Sequence, residues 1–242
     1  MTPLLALTDV VKRFGGLTAA NKLSFHVERG ESLGLIGPNG AGKTTIFSLI
    51  MGELRQNAGE IRLKGEEISR LPTHARIRRG VSRTYQVPRP FAQMDVAGNI
   101  RVGLMPNSIL GMLFGAADEA EERAIARSVG LGEADFHRAP AELSMGDLRK
   151  LELARTLATG PDILLLDEVF AGLTTGEIAQ ISDLLAQKRR DGMTFVIVSH
   201  DLRSLEPLID RAVAMTFGSV VAEGGFEHVM NDDAVKAAYL GH

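Results

Sequence analysis

A chain of 242 residues is long enough for one large domain, or for a domain that carries an inserted lobe. Hydrophobic residues make up 45% and charged residues 24%, an ordinary globular balance, while aromatics at 5% with no Trp leave the core to aliphatic side chains. The net charge of −3 lacks the basic footprint of a nucleic-acid binder, so no nucleic-acid partner is expected, and the absence of Cys excludes disulfides and thiolate metal sites.

In chain order, Met1 to Lys12 lacks the basic, apolar, small-residue succession of a signal peptide. The first third predicts short strands over Leu4–Asp9, Leu23–Val27, Ser32–Ile36 and Glu60–Leu63, with glycine turns such as Phe14-Gly15-Gly16 between them. From Val87 to Leu157 the character changes. Pro88, Pro90 and Pro106 interrupt the chain, and then Asp118–Gly130 and Ser144–Thr159 show helical spacing. Ile109–Ala117, the nearest thing to a membrane span, is well short of the roughly 20 apolar residues a crossing helix needs and contains Gly111 and Gly115. The chain itself is expected to be soluble. In the last third, the apolar run Ile163–Leu166 after Pro161 reads as a strand buried on both faces. Thr175–Arg190 follows as a helix and Thr194–Val198 as a second buried strand. Strand, helix, strand in that order argues for a parallel sheet with crossover helices. Ala212–Met215 and Val220–Ala222, joined across Gly218-Ser219, read as a closing hairpin.

The strongest local signal is Gly37-Pro38-Asn39-Gly40-Ala41-Gly42-Lys43-Thr44-Thr45, between the expected strand Leu33–Ile36 and an expected helix Thr45–Met51. Its glycines let the backbone close around phosphate oxygens, and the helix offers its positive end to the same anion. Lys43 is expected on the β- and γ-phosphates and Thr44 on Mg²⁺. Ile163–Glu168 is an apolar strand that ends in two acids. Asp167 is placed to hold Mg²⁺ through water, and Glu168 to polarise an attacking water as general base. Val196–Asp201 repeats the design with His200 at the strand end, where Asp201 can simply cap the next helix. Ser144 and Asp147, in Leu143-Ser144-Met145-Gly146-Asp147, read locally as an N-cap and a first-turn acid. The same segment is a second anion-binding helix start, with Gly146 permitting close approach.

Taken in order, these residues resemble an ABC cassette: phosphate loop at Gly37–Thr45, Q-loop at Gln86, signature at Leu143–Asp147, acidic strand end at Leu165–Glu168, switch histidine at His200. The resemblance spans essentially the whole chain. It implies a P-loop NTPase fold with a mixed sheet core and an N-terminal antiparallel β subdomain in residues 1–86 and 158–242, and an inserted helical subdomain in 87–157. It implies ATP and Mg²⁺ as cofactors, with Thr44, Gln86 and Asp167 on the metal. Phe14 is then the stacking partner of adenine, where the family usually has Tyr. Asn39, Gly40, Ala41, Gly42, Lys43, Thr44, Thr45 and Gln86 bind nucleotide, as do Ser144 and Gly146 from a second subunit; Lys43, Glu168 and His200 carry catalysis.

Three positions depart from the family pattern: Asp147 stands for the usual Gln, Thr174 for the D-loop Asp or Asn, and Val169 for the Pro after the catalytic acid. The implied partners are a second cassette, identical or different, membrane permease subunits whose coupling helix enters a groove near Gln86–Met94, and indirectly a solute-binding protein. The implied location is the cytoplasmic face of the plasma membrane. Arg83-Thr84-Tyr85-Gln86, Ala171-Gly172-Leu173 and the ending Ala238-Tyr239-Leu240-Gly241 are similar to the branched-chain amino acid uptake cassettes. Leu71–Arg76 and the same ending are also similar to the lipopolysaccharide-export cassette. A DNA- or ribosome-directed relative usually carries a coiled-coil insertion or a second cassette, for which 242 residues leave no room. A module that holds ATP without useful hydrolysis is the remaining alternative.

Overall fold

Segments that alternate apolar and polar residues build one sheet of the protein, and continuously apolar segments build the other. The computed structural model describes residues 2–105 and 118–240; Pro106, the Ile109–Ala117 stretch and Gly241 lie outside them. Strands β1 (Leu5–Phe14) and β2 (Leu17–Val27) pair antiparallel, and β1 pairs on its other side with β4 (Ala58–Leu63), which carries the short β5 (Glu66–Glu67). The order is β2-β1-β4-β5. β1 runs five residues past its expected end because the strand continues through an irregularity: Asp9 takes φ +47° and the register slips between Leu7 and Val10.

The second sheet contains β3 (Ser32–Ile36), β6 (Val81–Arg83), β7 (Ile163–Asp167), β8 (Thr194–Val198), β9 (Arg211–Thr216) and β10 (Ser219–Gly224), in the order β10-β9-β3-β8-β7-β6. Its strands run parallel except for the β9–β10 hairpin. β3, β7 and β8 are buried along their whole length, as their aliphatic runs require. Period-two alternation divides β7 between two cores. Leu165 faces a cluster with Leu5, Val27, Phe47 and Val196, whereas Leu164 and Leu166 face one with Leu151, Phe195 and Ile197. The parallel strands end on one edge of the sheet, so the segments after β3, β7 and β8 meet there, the usual place for a ligand in an open α/β sheet.

Helix α1 (Lys43–Met51) follows β3, and α2 (Thr73–Ile77) lies beside it. Arg76 of α2 is fully buried and donates to the carbonyls of Leu49, Ile50, Ser69 and Leu71 at 2.6–2.9 Å. It therefore closes the C-terminal end of α1, where helix carbonyls lack partners. Burial pushes its pKa down to about 10, which leaves it cationic at neutral pH. Helices α3 (Val96–Leu104), α4 (Glu119–Ser128) and α5 (Met145–Ala158) pack on one another as the helical lobe. Asp118 caps α4 and Ser144 caps α5. The crossover α6 (Thr175–Arg190) joins β7 to β8, and α7 (Leu202–Leu205), α8 (Phe226–Asn231) and α9 (Asp233–Leu240) complete the chain. Among the described residues no helix is long and apolar enough to cross a membrane.

Candidate active site

The loop from β3 to α1 is shaped by glycine where nothing else fits. Gly37 takes φ +151°, and a Cβ on it would lie 2.1 Å from the Met215 carbonyl oxygen. Helix α1 begins at Lys43 with Gly42 at its N-cap, no side-chain cap and no acid in its first turn. Its leading amides therefore face the loop with the positive end of the helix behind them. Lys43 is buried, and its ammonium donates to the carbonyls of Gly37 at 2.6 Å and Pro38 at 3.0 Å. Burial lowers the Lys43 pKa, and the nearby Glu168 and Asp167 carboxylates oppose that shift. A cavity of about 430 Å³ joins Asn39–Thr45 of this loop to Phe14, Gln86, Glu168 and His200. Most of the residues singled out in the sequence therefore border one space. A second cavity of about 530 Å³, at Lys64, Arg79 and Asp162, holds none of them.

Glu168 follows the last residue of β7 with φ +50°, a left-handed conformation that a non-glycine residue adopts at a cost. Its N–H donates to the Val198 carbonyl at 2.9 Å, which locks the turn. One carboxylate oxygen, Oε2, accepts the His200 N–H at 3.1 Å. The other, Oε1, is buried without a hydrogen bond; His200 Nε2 approaches to 3.4 Å but is not aligned to donate. An unsatisfied buried acceptor costs roughly 1–3 kcal/mol, and such groups concentrate where chemistry is done. Asp167 is almost fully buried, with Oδ2 accepting from Arg83 at 2.6 Å and its N–H donating to Thr84 Oγ1 at 3.2 Å. Asp201 caps α7 through the Ser204 N–H, as its place in the sequence implies.

Three residues to which the sequence motifs assign no role at the site organise it. Arg83, at the end of β6, holds Asp167 and also donates to Glu53 and Ser48, with its guanidinium over the rings of Phe47 and Tyr85. Arg149 of α5 is fully buried and donates to the carbonyls of Tyr85 at 2.6 Å and Gln86 at 2.9 Å, which ties the Gln86 segment to the helical lobe. Its partner Glu152, 2.7 Å away, has its pKa raised by burial, an effect that the Tyr85 N–H and Arg149 oppose. Phe217, in the β9–β10 turn, borders the cavity with 87% of its surface exposed and φ +46°. The available signal for the arginines was an Arg next to an otherwise apolar or helical core position.

Ser144 and Gly146 do not border this cavity; they open α5 against the start of α6. Ser144 accepts the Asp147 N–H at 3.1 Å and donates to Asp147 Oδ2 at 2.9 Å, while Asp147 Oδ1 pairs with Lys150 at 3.0 Å. The close approach that Gly146 allows is to Glu177: its N–H donates to Glu177 Oε1 at 2.9 Å, and a Cβ would lie 2.6 Å from that oxygen. Thr174 is the N-cap of α6, in a reciprocal capping box with Glu177.

Comparison with known proteins agrees with this geometry. The model of the ABC transporter family matches residues 20–171. The high-affinity branched-chain amino acid transport ATP-binding protein LivG of Salmonella typhimurium is 36% identical, over 99% of this chain and 98% of its own. The lipopolysaccharide export system ATP-binding protein LptB of Haemophilus influenzae is 35% identical, over 98% and 97%. Among solved structures, an ATP-binding cassette of an ABC transporter in its ADP conformation superposes with a TM-score of 0.88 at 29% identity, covering all of both chains. The chain has the cassette fold throughout, and it belongs to the ABC transporter family as an ATP-hydrolysing, nucleotide-binding subunit.

Proposed function

We propose that this chain powers the import of branched-chain or related amino acids by hydrolysing ATP between itself and a second cassette, on the cytoplasmic face of a membrane permease. The observation that carries the hydrolytic part is Glu168, a strained residue with a buried carboxylate oxygen and no donor on it. In this reading Glu168 takes a proton from the water that attacks the γ-phosphorus, and His200 orients the γ-phosphate and that water. Lys43 leaves the Gly37 and Pro38 carbonyls for the β- and γ-phosphates, and the loop amides and the α1 N-terminus balance the charge that develops. Phe14 stacks on adenine; Ser144 and Gly146 meet the triphosphate bound on the other subunit.

Among the described residues no three His, Asp or Glu side chains gather to hold a metal alone. That fits Mg²⁺, which takes most of its ligands from water and phosphate. The donors at hand are hard oxygens, and Arg83 occupies only one oxygen of Asp167. Thr44, Gln86 and Asp167 would hold the ion, which when bound neutralises charge on the phosphates.

Residues 1–86 and 158–242 serve as the core in this reading, and 87–157 as the lobe that meets the permease. Exposed Val87, Phe91 and Met94 beside Gln86 support a coupling helix there. Arg83–Gln86, Ala171–Leu173 and the likeness to LivG support amino acid uptake; the Ala238–Gly241 ending is common to both readings. The nearly equal likeness to LptB makes lipopolysaccharide export the second reading. Reconstitution with its permease decides between them: ATPase stimulation by a leucine-loaded solute-binding protein supports uptake, and stimulation by lipopolysaccharide alone overturns it. For the chemistry, Glu168→Gln is expected to bind ATP and nearly abolish turnover. Its mass by light scattering should double with Mg-ATP; wild-type turnover in that variant would remove Glu168 from the base role.

A further inference from the structure

Helix α9 packs against the β9–β10 hairpin through buried Val235, and its last turn carries Tyr239 back to the phosphate loop. The Tyr239 phenol oxygen accepts the Gly37 N–H at 2.8 Å, a contact between residues 202 positions apart. Gly37 is buried at the end of fully buried β3, so its N–H has to find a protein acceptor. Its carbonyl is held from the other side by Lys43 at 2.6 Å, and Met215 blocks the space beside its Cα. Gly37 is thus held through its N–H by the tail and through its carbonyl by Lys43. Burial raises the Tyr239 pKa, the Gly37 N–H opposes this, and the Glu168 carboxylate adds to it. The phenol therefore keeps its proton and sits within electrostatic reach of the general base.

We infer that Tyr239 is a positioning residue for hydrolysis: docking of α9 pins the Gly37 N–H, and with it the backbone of the loop that leads into α1, in register with Glu168. The inference rests on the nucleotide-site reading above. It assigns a task to Tyr239, which the catalytic scheme leaves without one. The phenol touches no phosphate in this scheme, so its removal should slow the chemical step and leave nucleotide affinity in place.

Tyr239→Phe in the full chain keeps the ring and deletes the acceptor. If the lost contact, of the size usual for a buried hydrogen bond, falls on the chemical step, kcat drops roughly tenfold, with KM for ATP within about twofold of wild type, as expected of a contact that matters after binding. Amide hydrogen exchange at Gly37, followed in the nucleotide-free protein, should accelerate by a similar factor. Val235→Ala, which loosens α9 at its buried anchor and leaves the phenol intact, should shift both readouts in the same direction. Unchanged exchange at Gly37 in Tyr239→Phe overturns the pin itself. Faster exchange with unchanged kcat overturns the positioning role, as does a rise in KM that matches the fall in kcat. A wild-type chain without turnover would sink the hydrolysis reading and this inference with it, whereas unchanged turnover in Tyr239→Phe sinks the inference alone.

Discussion

Asp147 commits the Ser144 hydroxyl, which in the proposed function meets the triphosphate on the other subunit. Ser144 Oγ both accepts from the Asp147 N–H and donates to Asp147 Oδ2, so it has no hydrogen left for an incoming oxyanion. The carboxylate also sets a negative charge, only partly offset by Lys150, beside the place where a triphosphate would dock. Asp147→Gln removes that charge and frees Ser144. In a Glu168→Gln background it should tighten the Mg-ATP-dependent dimer by roughly fivefold, the size of effect usual for a half-exposed charge. A light-scattering titration over protein concentration measures it, and an unchanged midpoint counts against the effect. Residues of this kind were legible in the sequence because short motifs fix both their type and their order. Arg83, Arg149 and Arg76 were not, since an arginine beside apolar or helical core positions is a weak signal that names no partner. Each is recruited by partners distant in sequence, as Arg149 is by Tyr85, 64 positions away.

The same contrast holds for whole elements. Thr174-Thr175-Gly176-Glu177 is the sequence pattern of a capping box, yet against the family it reads first as a missing D-loop acid. In the structure Thr174 Oγ1 accepts the Glu177 N–H at 3.3 Å and donates to Glu177 Oε2 at 2.8 Å. Oε1 of the same carboxylate closes the start of α5 through Gly146. One carboxylate therefore serves two helix N-termini. The Thr174 N–H, the Thr174 hydroxyl and the Gly146 N–H together hold its pKa below the usual range. Thr174→Ala loses the cap and should cost about 1 kcal/mol, a fall in melting temperature of roughly 2–4 °C for a chain of this size. Thr174→Asp restores a capping oxygen and should melt near wild type; equal losses in both would mean that the cap does not matter. Long periodic elements such as α6 were readable with their bounds. β6, at three residues, and α2, at five, were too short to show a period, and tertiary pairing fixes them.

At the scale of the molecule, the α/β core with its helical lobe followed from alternating apolar runs, but the strand order did not. β3 lies between β8 and β9, strands that begin more than 150 residues later, and no local pattern encodes that insertion. Charge ties the two sheets together at the far end. Asp162, just before β7, pairs with Arg29 at 3.2 Å and with Lys64, beside β4, at 2.5 Å. Burial alone would raise the Asp162 pKa, but hydrogen bonds from Lys64 and Arg29 reverse this and leave it below the usual carboxylate value. The folded protein thus binds the proton less readily than the unfolded chain. The stabilisation is complete above an unfolded carboxylate pKa of about 4 and is lost as pH falls through the lower folded value. Both basic partners are well exposed, so the pair contributes no more than about 1 kcal/mol, and less in high salt. Asp162→Asn should therefore unfold at lower urea than wild type at pH 7 and at pH 5, with the gap shrinking towards pH 3 and in molar salt. A gap that ignores both pH and salt would assign the loss to packing around Gly80, whose Cβ position Asp162 crowds, and not to the charge.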